Sequence, residues 1–454
     1  MASGKVDKTY LFETAGVPRA VVSLAVPAVI SQLISLIYNM TDTFFVGQLG
    51  DPNQVAAVSL VAPMMLALTA LANLFGIGAA STASRLMGAK NFDSARRATA
   101  FGLYSALAIA AIISAAALLF SGFFLNILGA ISDTKTFAGK YLFWVISLGA
   151  IPSLLSMVLS HFIRTDGAPK TASFGLSMGG LINLVLDPIF IFDFGLGMGV
   201  EGAALATFVA NAATLLYFLR YFYINRKDTV IGLHPRWYTL KRAIAGKVLI
   251  IGLPGMLQTL LASVSNTMLN QLAKGFGGEA VAALGIVKKI DTIPMSVTIG
   301  IAQGLMPLLG YNYAAKNHQR MKDAAKLALI SAIVFSVICA GAFIIFAPFF
   351  VRLFMQEAVT VSHGIYFLRI MCISTPLMAV GFHMITLFQA AGESRPALVL
   401  SVLRKGIVDI PLMLLFNLLL PLNGLAFVQP ATEFIAMAAA LFFYARFTRR
   451  ISTP

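Results

Sequence analysis

Long apolar runs separated by short polar segments cover nearly the whole chain. A helix needs about 20 mostly apolar residues to cross a bilayer, and twelve runs reach this length. The alternating ten-residue pattern of an outer-membrane barrel does not occur, so the pattern predicts an all-α integral membrane protein. The predicted spans, numbered 1 to 12 below, are 20–45, 54–80, 98–121, 138–163, 171–193, 200–224, 246–273, 280–309, 325–350, 362–390, 397–419 and 424–446.

Composition supports this fold class and excludes several others. Of the 454 residues, 59% are hydrophobic and only 11% are charged, whereas soluble domains carry about 25% charged residues. A soluble enzyme, a soluble nucleic-acid-binding protein and a disordered scaffold are therefore excluded. The two cysteines, Cys339 and Cys372, lie within apolar runs, so they indicate neither a disulfide framework nor a thiolate metal site.

The positive charges predict the orientation of the chain in the membrane. The net charge is +15, and 26 of the 33 Lys and Arg residues lie in the N-terminal tail, in every second loop and in the C-terminal tail. Because cytoplasmic loops carry the excess of Lys and Arg, we expect both termini to be cytoplasmic in a multi-pass protein of the inner (plasma) membrane. Anionic lipid at the cytoplasmic face is the expected partner of these charges, and nucleic acid is not required.

An internal repeat divides the spans into two sets of six. Pro27 and Asn39 of span 1 align with Pro254 and Asn266 of span 7, and residues 89–91 and 315–317 both read Ala-Lys-Asn. The predicted domains are an N-lobe, a basic cytoplasmic linker and a C-lobe, with bounds 1–224, 225–245 and 246–454. Six is an even number, so both lobes enter the membrane from one side, and we expect a pseudo-two-fold axis along the membrane normal. Parallel repeats of this kind are typical of alternating-access transporters with a cleft between two lobes.

Polar side chains within the spans of the N-lobe predict a cation-binding site. Ionisable residues inside a membrane are costly and mark function by default. The polar residues of spans 1, 5 and 6 lie at a similar depth, about 5–12 Å below the outer rim at 1.5 Å per residue. Carboxylates, amides and hydroxyls at one depth suit Na⁺ or a shared proton. The candidate residues are Asp42, Asn183, Asp187 and Thr207, with Asn39 and Asn211 beside them.

The second lobe lacks this set of residues. The position of Asp42 aligns there with a nonpolar residue, Leu269 or Met268 depending on the gap. The N-lobe site is therefore not a folding requirement of the repeat, and the asymmetry favours a functional role.

A second group of residues is a candidate lining for the substrate cleft. Methionines suit a soft, adaptable surface that accepts varied amphiphiles, and three polar residues within C-lobe spans are further candidates for substrate binding or gating. This group comprises Met64, Met178, Met256, Gln258, Lys288 and Asp291.

Alternatives to a transport role exist for the polar residues of the C-lobe. Lys288 and Asp291 are three residues apart, so a structural ion pair competes with a role in gating or substrate binding. Asp409 has Arg404 and Lys405 about one turn away, which favours pairing, and Glu433 is a candidate for the cleft.

No catalytic motif occurs in a credible context. We find no Ser-His-Asp set, HExxH, CxxC or Gly-rich phosphate loop. We therefore expect no enzyme activity and no cofactor other than the coupling ion, and a nucleotide-driven pump is excluded.

The chain resembles the multidrug and toxic compound extrusion (MATE) family over nearly its whole length. The motifs that carry the resemblance are LAVPAVISQLISLIYNMTDTFFVGQLG, RLMGAKN, IRTDGAPK and GGLINLVLDPIF. The resemblance implies a cation-coupled antiporter that expels amphiphilic, often cationic, compounds. It is closest to the prokaryotic branch with an N-lobe aspartate site, whose roles then fall on Asp42, Asn183 and Asp187, with Thr207 as the hydroxyl. Gln258 stands where another branch has a Glu, which argues against a C-lobe cation site.

These observations lead to one functional prediction and two alternatives. We predict a secondary active efflux antiporter that exchanges H⁺ or Na⁺ for small amphiphilic molecules and works as a monomer. A lipid-linked oligosaccharide flippase shares the same architecture, but such proteins usually have extra spans or a strongly cationic cavity. An intramembrane enzyme would need a nucleophile–base pair or a metal cluster, which the sequence does not show.

Overall fold

The structure is a computed structural model that describes residues 9–452, which are helices joined by turns and short loops without any strand. Both chain ends, which we predict to be cytoplasmic, extend into residues 1–8 and 453–454 and lie outside the described residues.

Nine helices of the described chain are long and apolar enough to cross a membrane individually. They occupy predicted spans 1–3, 5–9 and 12. Their bounds are Val17–Gly47, Pro52–Gly88, Phe92–Leu119, Pro169–Ile191, Val200–Ile224, Arg242–Lys274, Gly278–Ala314, His318–Ile345 and Asn423–Ser452.

The other three predicted spans are interrupted rather than continuous. Span 4 consists of Ser132–Leu142, a π-helical segment Phe143–Leu148 and Ala150–Thr165, and its two parts are bent by 47°. Span 10 consists of Ala358–Met371 and Ser374–Ala391, bent by 48°. Span 11 consists of Ser394–Val402, a π-helical segment Leu403–Ile407 and Asp409–Leu419. A short helix at Tyr10–Glu13 precedes span 1, and three more lie between spans, at Ser121–Ile127, Pro235–Trp237 and Ala347–Arg352.

The helices repeat in the order that the sequence predicts. Pro52–Gly88 and Phe92–Leu119 begin and end 226 residues before Gly278–Ala314 and His318–Ile345. The turns between these helices also match. Asn91 and Asn317 both cap the following helix, each accepting a hydrogen bond from the backbone N–H three residues on, at 3.1 and 3.2 Å. An identical cap at the same offset shows that the repeat extends to local backbone geometry.

Contacts divide the chain into two compact units. Unit 1 comprises the chain up to Ala15 together with Ile30–Met256, and unit 2 comprises Gly16–Val29 and Leu257–Pro454. The units differ from the predicted lobes in two segments, since the beginning of span 1 groups with unit 2 and the beginning of span 7 with unit 1. The predicted linker, 225–245, belongs to unit 1.

Close helix approaches hold both displaced segments in their units. In unit 1, a Cβ atom on Gly252 of span 7 would lie 1.8 Å from the carbonyl oxygen of Leu74. In unit 2, a Cβ atom on Gly304 would lie 2.7 Å from the carbonyl oxygen of Leu24 in span 1. Small residues allow membrane helices to pack at such short range, so these contacts decide which unit each segment joins.

The core of unit 2 is apolar and lies where its helices converge. Val287, Phe367 and Leu368 are fully buried in it. Of the two residues that align with Asp42 depending on the gap, Leu269 is buried in the same core and Met268 packs against it. The second half of the repeat therefore uses apolar packing where the first half places a carboxylate.

Candidate functional site

The predicted residues of spans 5 and 6 meet inside unit 1. Asn183 and Asp187 lie one turn apart on the helix Pro169–Ile191 and are buried, with 2% and 0% exposure. Asn183 Nδ2 donates a hydrogen bond to Asp187 Oδ1 at 3.1 Å and contacts Thr207 Oγ1 of span 6 at 3.4 Å. One amide thus joins the carboxylate of its own helix to the hydroxyl of the neighbouring helix.

Asp42 of span 1 belongs to the same group of side chains. Its carboxyl is close enough to that of Asp187 for the two charges to interact. The side chains of Tyr38 and Tyr141 lie within electrostatic range of both carboxyls. The structure therefore brings spans 1, 4, 5 and 6 together around two acidic groups. We call the six side chains at this place the acidic cluster: Tyr38, Asp42, Tyr141, Asn183, Asp187 and Thr207.

The two tyrosines are the members that the sequence analysis missed. Tyr38 lies one turn before Asp42 on the same helix face, so the four-residue spacing alone predicts that the two side chains are neighbours. Gly180 provides room for it, because a Cβ atom there would lie 3.1 Å from Tyr38 Cδ1. Tyr141 carries no comparable local signal, since it joins the cluster only through the packing of span 4.

Three oxygen atoms of the acidic cluster are buried without a hydrogen-bond donor among the described residues. They are Asp42 Oδ1, Asn183 Oδ1 and Asp187 Oδ2. A buried acceptor that lacks a donor costs about 1–3 kcal/mol. No Lys or Arg of the described chain forms an ion pair with either carboxyl. Oxygen acceptors with uncompensated negative charge suit a proton or a hard cation such as Na⁺.

Two further predicted residues form no hydrogen bond to either carboxyl of the acidic cluster among the described residues. Asn39 is exposed, its amide donates to the backbone oxygen of Ser35 at 2.6 Å, and its side chain also interacts with Tyr38 of the acidic cluster. Asn211 is half-buried one turn beyond Thr207, and no hydrogen bond connects it to the cluster within the described residues. Within residues 9–452, no group of three or more His, Cys, Asp and Glu residues is placed to hold a metal ion.

The predicted cleft residues are distributed over both units. Met64, Met178 and Met256 belong to unit 1, whereas Gln258, Lys288 and Asp291 belong to unit 2. Met178 lines an apolar groove of about 430 Å³ along the helix of span 5. The assignment of these six residues to a substrate cleft stays a prediction.

Lys288 and Asp291 do not form the structural ion pair that the sequence leaves open as an alternative to a functional role. Lys288 Nζ instead donates to Asn266 Oδ1 of span 7 at 2.7 Å. Asp291 accepts hydrogen bonds from Thr375 at 3.2 Å and from Gln429 at 2.8 Å. Polar partners on neighbouring helices thus satisfy each side chain, which the spacing along one helix does not reveal.

Glu433 does not line a cleft but forms a buried ion pair. Its two carboxylate oxygens accept from Arg404 Nε and Nη2 at 3.0 and 2.8 Å, and both side chains are 1% exposed. The guanidinium also lies over the ring of Phe382, 4.2 Å from its centroid. Arg404 is therefore engaged by span 12 rather than by Asp409.

Asp409 has its own partners in unit 2. Lys405 Nζ lies 3.8 Å from its carboxylate, which confirms the prediction that Asp409 pairs with a nearby cation. Ser265 and Thr432 donate to the same carboxylate, the latter at 3.1 Å. Because donors surround it, Asp409 differs from Asp42 and Asp187, which each keep one buried oxygen without a donor among the described residues.

The two halves of the chain match one protein family. The model of the MatE family matches residues 27–189 and again residues 254–415. The chain therefore belongs to the MATE family. The two matched segments follow the internal repeat, and the match confirms the resemblance drawn from the sequence motifs.

Curated relatives align with almost the full chain. Multidrug export protein MepA of Staphylococcus aureus (strain MRSA252) is 32% identical over 441 residues, covering 97% of this chain and 96% of the relative. The protein of the same name from Staphylococcus saprophyticus is 31% identical with the same coverage.

Solved MATE structures share the fold. A multidrug resistance MATE family transporter of the MOP superfamily, in an outward-facing conformation, has a TM-score of 0.90 at 26% identity and covers 98% of both chains. A MOP superfamily transporter from Pyrococcus furiosus has a TM-score of 0.88 at 26% identity, again with 98% coverage of both. These matches confirm a multi-pass, all-α membrane protein with twelve spans in two lobes, and place this MATE protein among transporters rather than enzymes.

Proposed function

We propose that this MATE protein is a secondary active multidrug efflux antiporter. It exchanges H⁺ or Na⁺ for amphiphilic, often cationic, organic compounds by alternating access. The observation that carries the proposal is that three buried oxygen atoms of the acidic cluster lack a hydrogen-bond donor among the described residues. The names of the Staphylococcus relatives, which describe multidrug export, support the substrate class.

The chemistry of the acidic cluster explains how an ion drives the cycle. Two buried carboxylates without a cation repel one another, and a proton or Na⁺ between them removes that repulsion. Ion binding therefore favours the packing of spans 1, 5 and 6 in which Asp42 and Asp187 are close together. By linkage, a substrate that favours the other packing lowers the affinity for the ion, and the ion lowers the affinity for the substrate by the same factor.

The helices contain points at which such a change of packing can occur. Pro27 lies within the helix of span 1 and Pro188 within that of span 5. A proline inside a helix removes a backbone hydrogen bond and permits a bend. Pro188 directly follows Asp187, so a bend at this position moves the carboxyl relative to span 6.

The placement in the cell forms part of the proposal. The distribution of Lys and Arg supports an inner-membrane protein with both termini in the cytoplasm. A transporter whose two lobes belong to one chain is complete as a monomer.

The decisive experiment measures ethidium transport in proteoliposomes under a Na⁺ gradient and, separately, under a proton gradient. We expect one gradient to drive transport in the wild type, and Asp42→Asn and Asp187→Asn to abolish it. Asp193→Asn is the matched control, because Asp193 is an exposed acidic residue beyond the end of the span 5 helix.

Each outcome of this experiment bears on the proposal. Full coupled transport by Asp42→Asn would contradict the assignment of the acidic cluster. Transport driven by neither gradient, with folded protein, would contradict the antiport function and favour the oligosaccharide flippase instead.

A further inference from the structure

A cavity with basic and apolar lining lies in unit 1, at the end of span 6 that leads into the linker. It has a volume of about 630 Å³. Span 6, the linker and Arg96 of span 3 form its walls. Four Lys and Arg side chains line it: Arg96, Arg226, Lys227 and Arg236. We call these four side chains the linker pocket residues.

The walls of this cavity are held in place by hydrogen bonds from the linker to the helices. Asp166, at the end of span 4, accepts from Thr229 Oγ1 at 2.8 Å and from the backbone N–H of Val230 at 3.1 Å. Thr99 accepts from the backbone N–H of Gly232 at 2.9 Å. The linker is therefore packed against unit 1 as an ordered structure, and its charges have defined positions.

Aromatic rings orient the guanidinium groups of the pocket. The guanidinium carbons of Arg96 and Arg236 lie 5.4 and 5.1 Å from the centroid of Trp237. That of Arg226 lies 5.2 Å from the centroid of Tyr223. Stacking on an aromatic face stabilises the position of a guanidinium while its N–H donors stay available to an anion.

Few negative charges compensate these cations. Asp93 lies 3.5 Å from Arg96, and Asp228 is an exposed neighbour along the chain. Within residues 9–452, no carboxylate forms an ion pair with Arg226, Lys227 or Arg236. Guanidinium groups in a concave site match the geometry of phosphate oxygens.

The outer wall of the cavity is apolar and faces away from the protein. Leu219 and Tyr223 of span 6 line the pocket and are 44% and 70% exposed. They lie on the last turns of a membrane-spanning helix, where the acyl chains of a bilayer meet its head groups. Basic pockets beside the cytoplasmic ends of spans are typical binding sites for anionic lipid head groups.

We propose that this cavity binds an anionic phospholipid, with its phosphate at the linker pocket residues and its acyl chains along Leu219 and Tyr223. The observations favour a lipid over free phosphate because the cationic part of the cavity continues directly into an exposed apolar surface. Bound there, the lipid bridges the linker and span 6.

The test uses Trp237 as a reporter, since the chain has only two tryptophans. Trp144→Phe leaves Trp237 as the single tryptophan of the full-length protein. We titrate this variant in detergent with dihexanoyl phosphatidylglycerol, dihexanoyl phosphatidylcholine or inorganic phosphate, and record the fluorescence. We expect a saturable change with phosphatidylglycerol that high salt weakens, and a much smaller response to the other two.

Two charge variants in the same background complete the test. Arg226→Gln, Lys227→Gln and Arg236→Gln together should weaken phosphatidylglycerol binding on the order of 100-fold, from about one kcal/mol per basic residue. Lys241→Gln, Arg242→Gln and Lys247→Gln remove the same charge from exposed residues outside the cavity and should change it little. Equal binding of phosphatidylcholine, equal binding of inorganic phosphate, or equal weakening by both variants would overturn the proposal.

Discussion

Asn183 donates a hydrogen bond to Asp187 across one turn of the same buried helix, at 3.1 Å. The same amide nitrogen contacts Thr207 of the next helix at 3.4 Å. Asn183 therefore positions the carboxylate with its nitrogen atom while its own oxygen lacks a donor within the described chain. This arrangement makes Asn183 both a positioning residue and a candidate ligand of the coupling ion.

Replacing Asn183 by Ala should weaken ion binding without unfolding the protein. The variant removes one hydrogen bond to a charged group and one candidate oxygen ligand, so we expect a loss of about 2–3 kcal/mol, a shift of roughly 30–150-fold in the ion concentration for half-maximal transport. Concentration series of the driving ion in proteoliposomes measure this shift. Asn225→Ala is the control, because Asn225 lies outside the acidic cluster and its amide donates to the backbone oxygen of Tyr221 on its own helix. Equal shifts in both variants would contradict the role of Asn183.

Removing one partner of the buried ion pair in unit 2 should destabilise the protein strongly. Glu433→Gln leaves the Arg404 guanidinium buried without a counter-charge, at a cost of about 3–5 kcal/mol. The double variant Arg404→Met, Glu433→Leu should recover most of this loss, because neither charge is then buried. Thermal unfolding in detergent measures both effects. Glu393→Gln is the control, since its partner Arg450 is exposed and Glu393 is only half-buried, so this pair should contribute at most about 1 kcal/mol.

Adding a methyl group at Gly252 should also destabilise unit 1. Its Cβ atom would lie 1.8 Å from the backbone oxygen of Leu74, so the helices must separate, which costs roughly 1–3 kcal/mol. Gly341→Ala is the matched control, because no atom lies within 4 Å of the added Cβ and alanine favours the helix by about 1 kcal/mol. Thermal unfolding should therefore move in opposite directions for the two variants. A loss of stability in both would show that packing at Gly252 is not the cause.

The linker should become accessible to protease when Asp166 is neutralised. Asp166 accepts hydrogen bonds from Thr229, Val230 and the hydroxyl of Tyr221 at 2.7–3.1 Å. Asp166→Asn replaces charge-assisted bonds by weaker ones, so we expect local opening and trypsin cleavage several-fold faster within 225–245. Mass spectrometry of a time course locates the cuts. Asp228→Asn, an exposed residue of the same segment, should leave the rate unchanged.

The sequence determined the features that depend on local pattern. Twelve apolar runs predict the spans because a bilayer requires a minimum length of apolar helix. The repeat was visible because equivalent turns use the same residues, and Asn91 and Asn317 indeed form the same cap. The pairing of Asn183 with Asp187 was predictable because residues four apart share one helix face.

Only the tertiary structure decided which distant side chains meet. Tyr141 of span 4 lies within electrostatic range of the carboxyls of spans 1 and 5. Arg404 pairs with Glu433, which is 29 positions away, although Asp409 is closer along the chain. The breaks in spans 4, 10 and 11 and the grouping of the ends of spans 1 and 7 with particular units also escaped the sequence analysis. These features depend on helix packing, in which close approach and hydrogen bonds between helices outweigh the local preference of each segment.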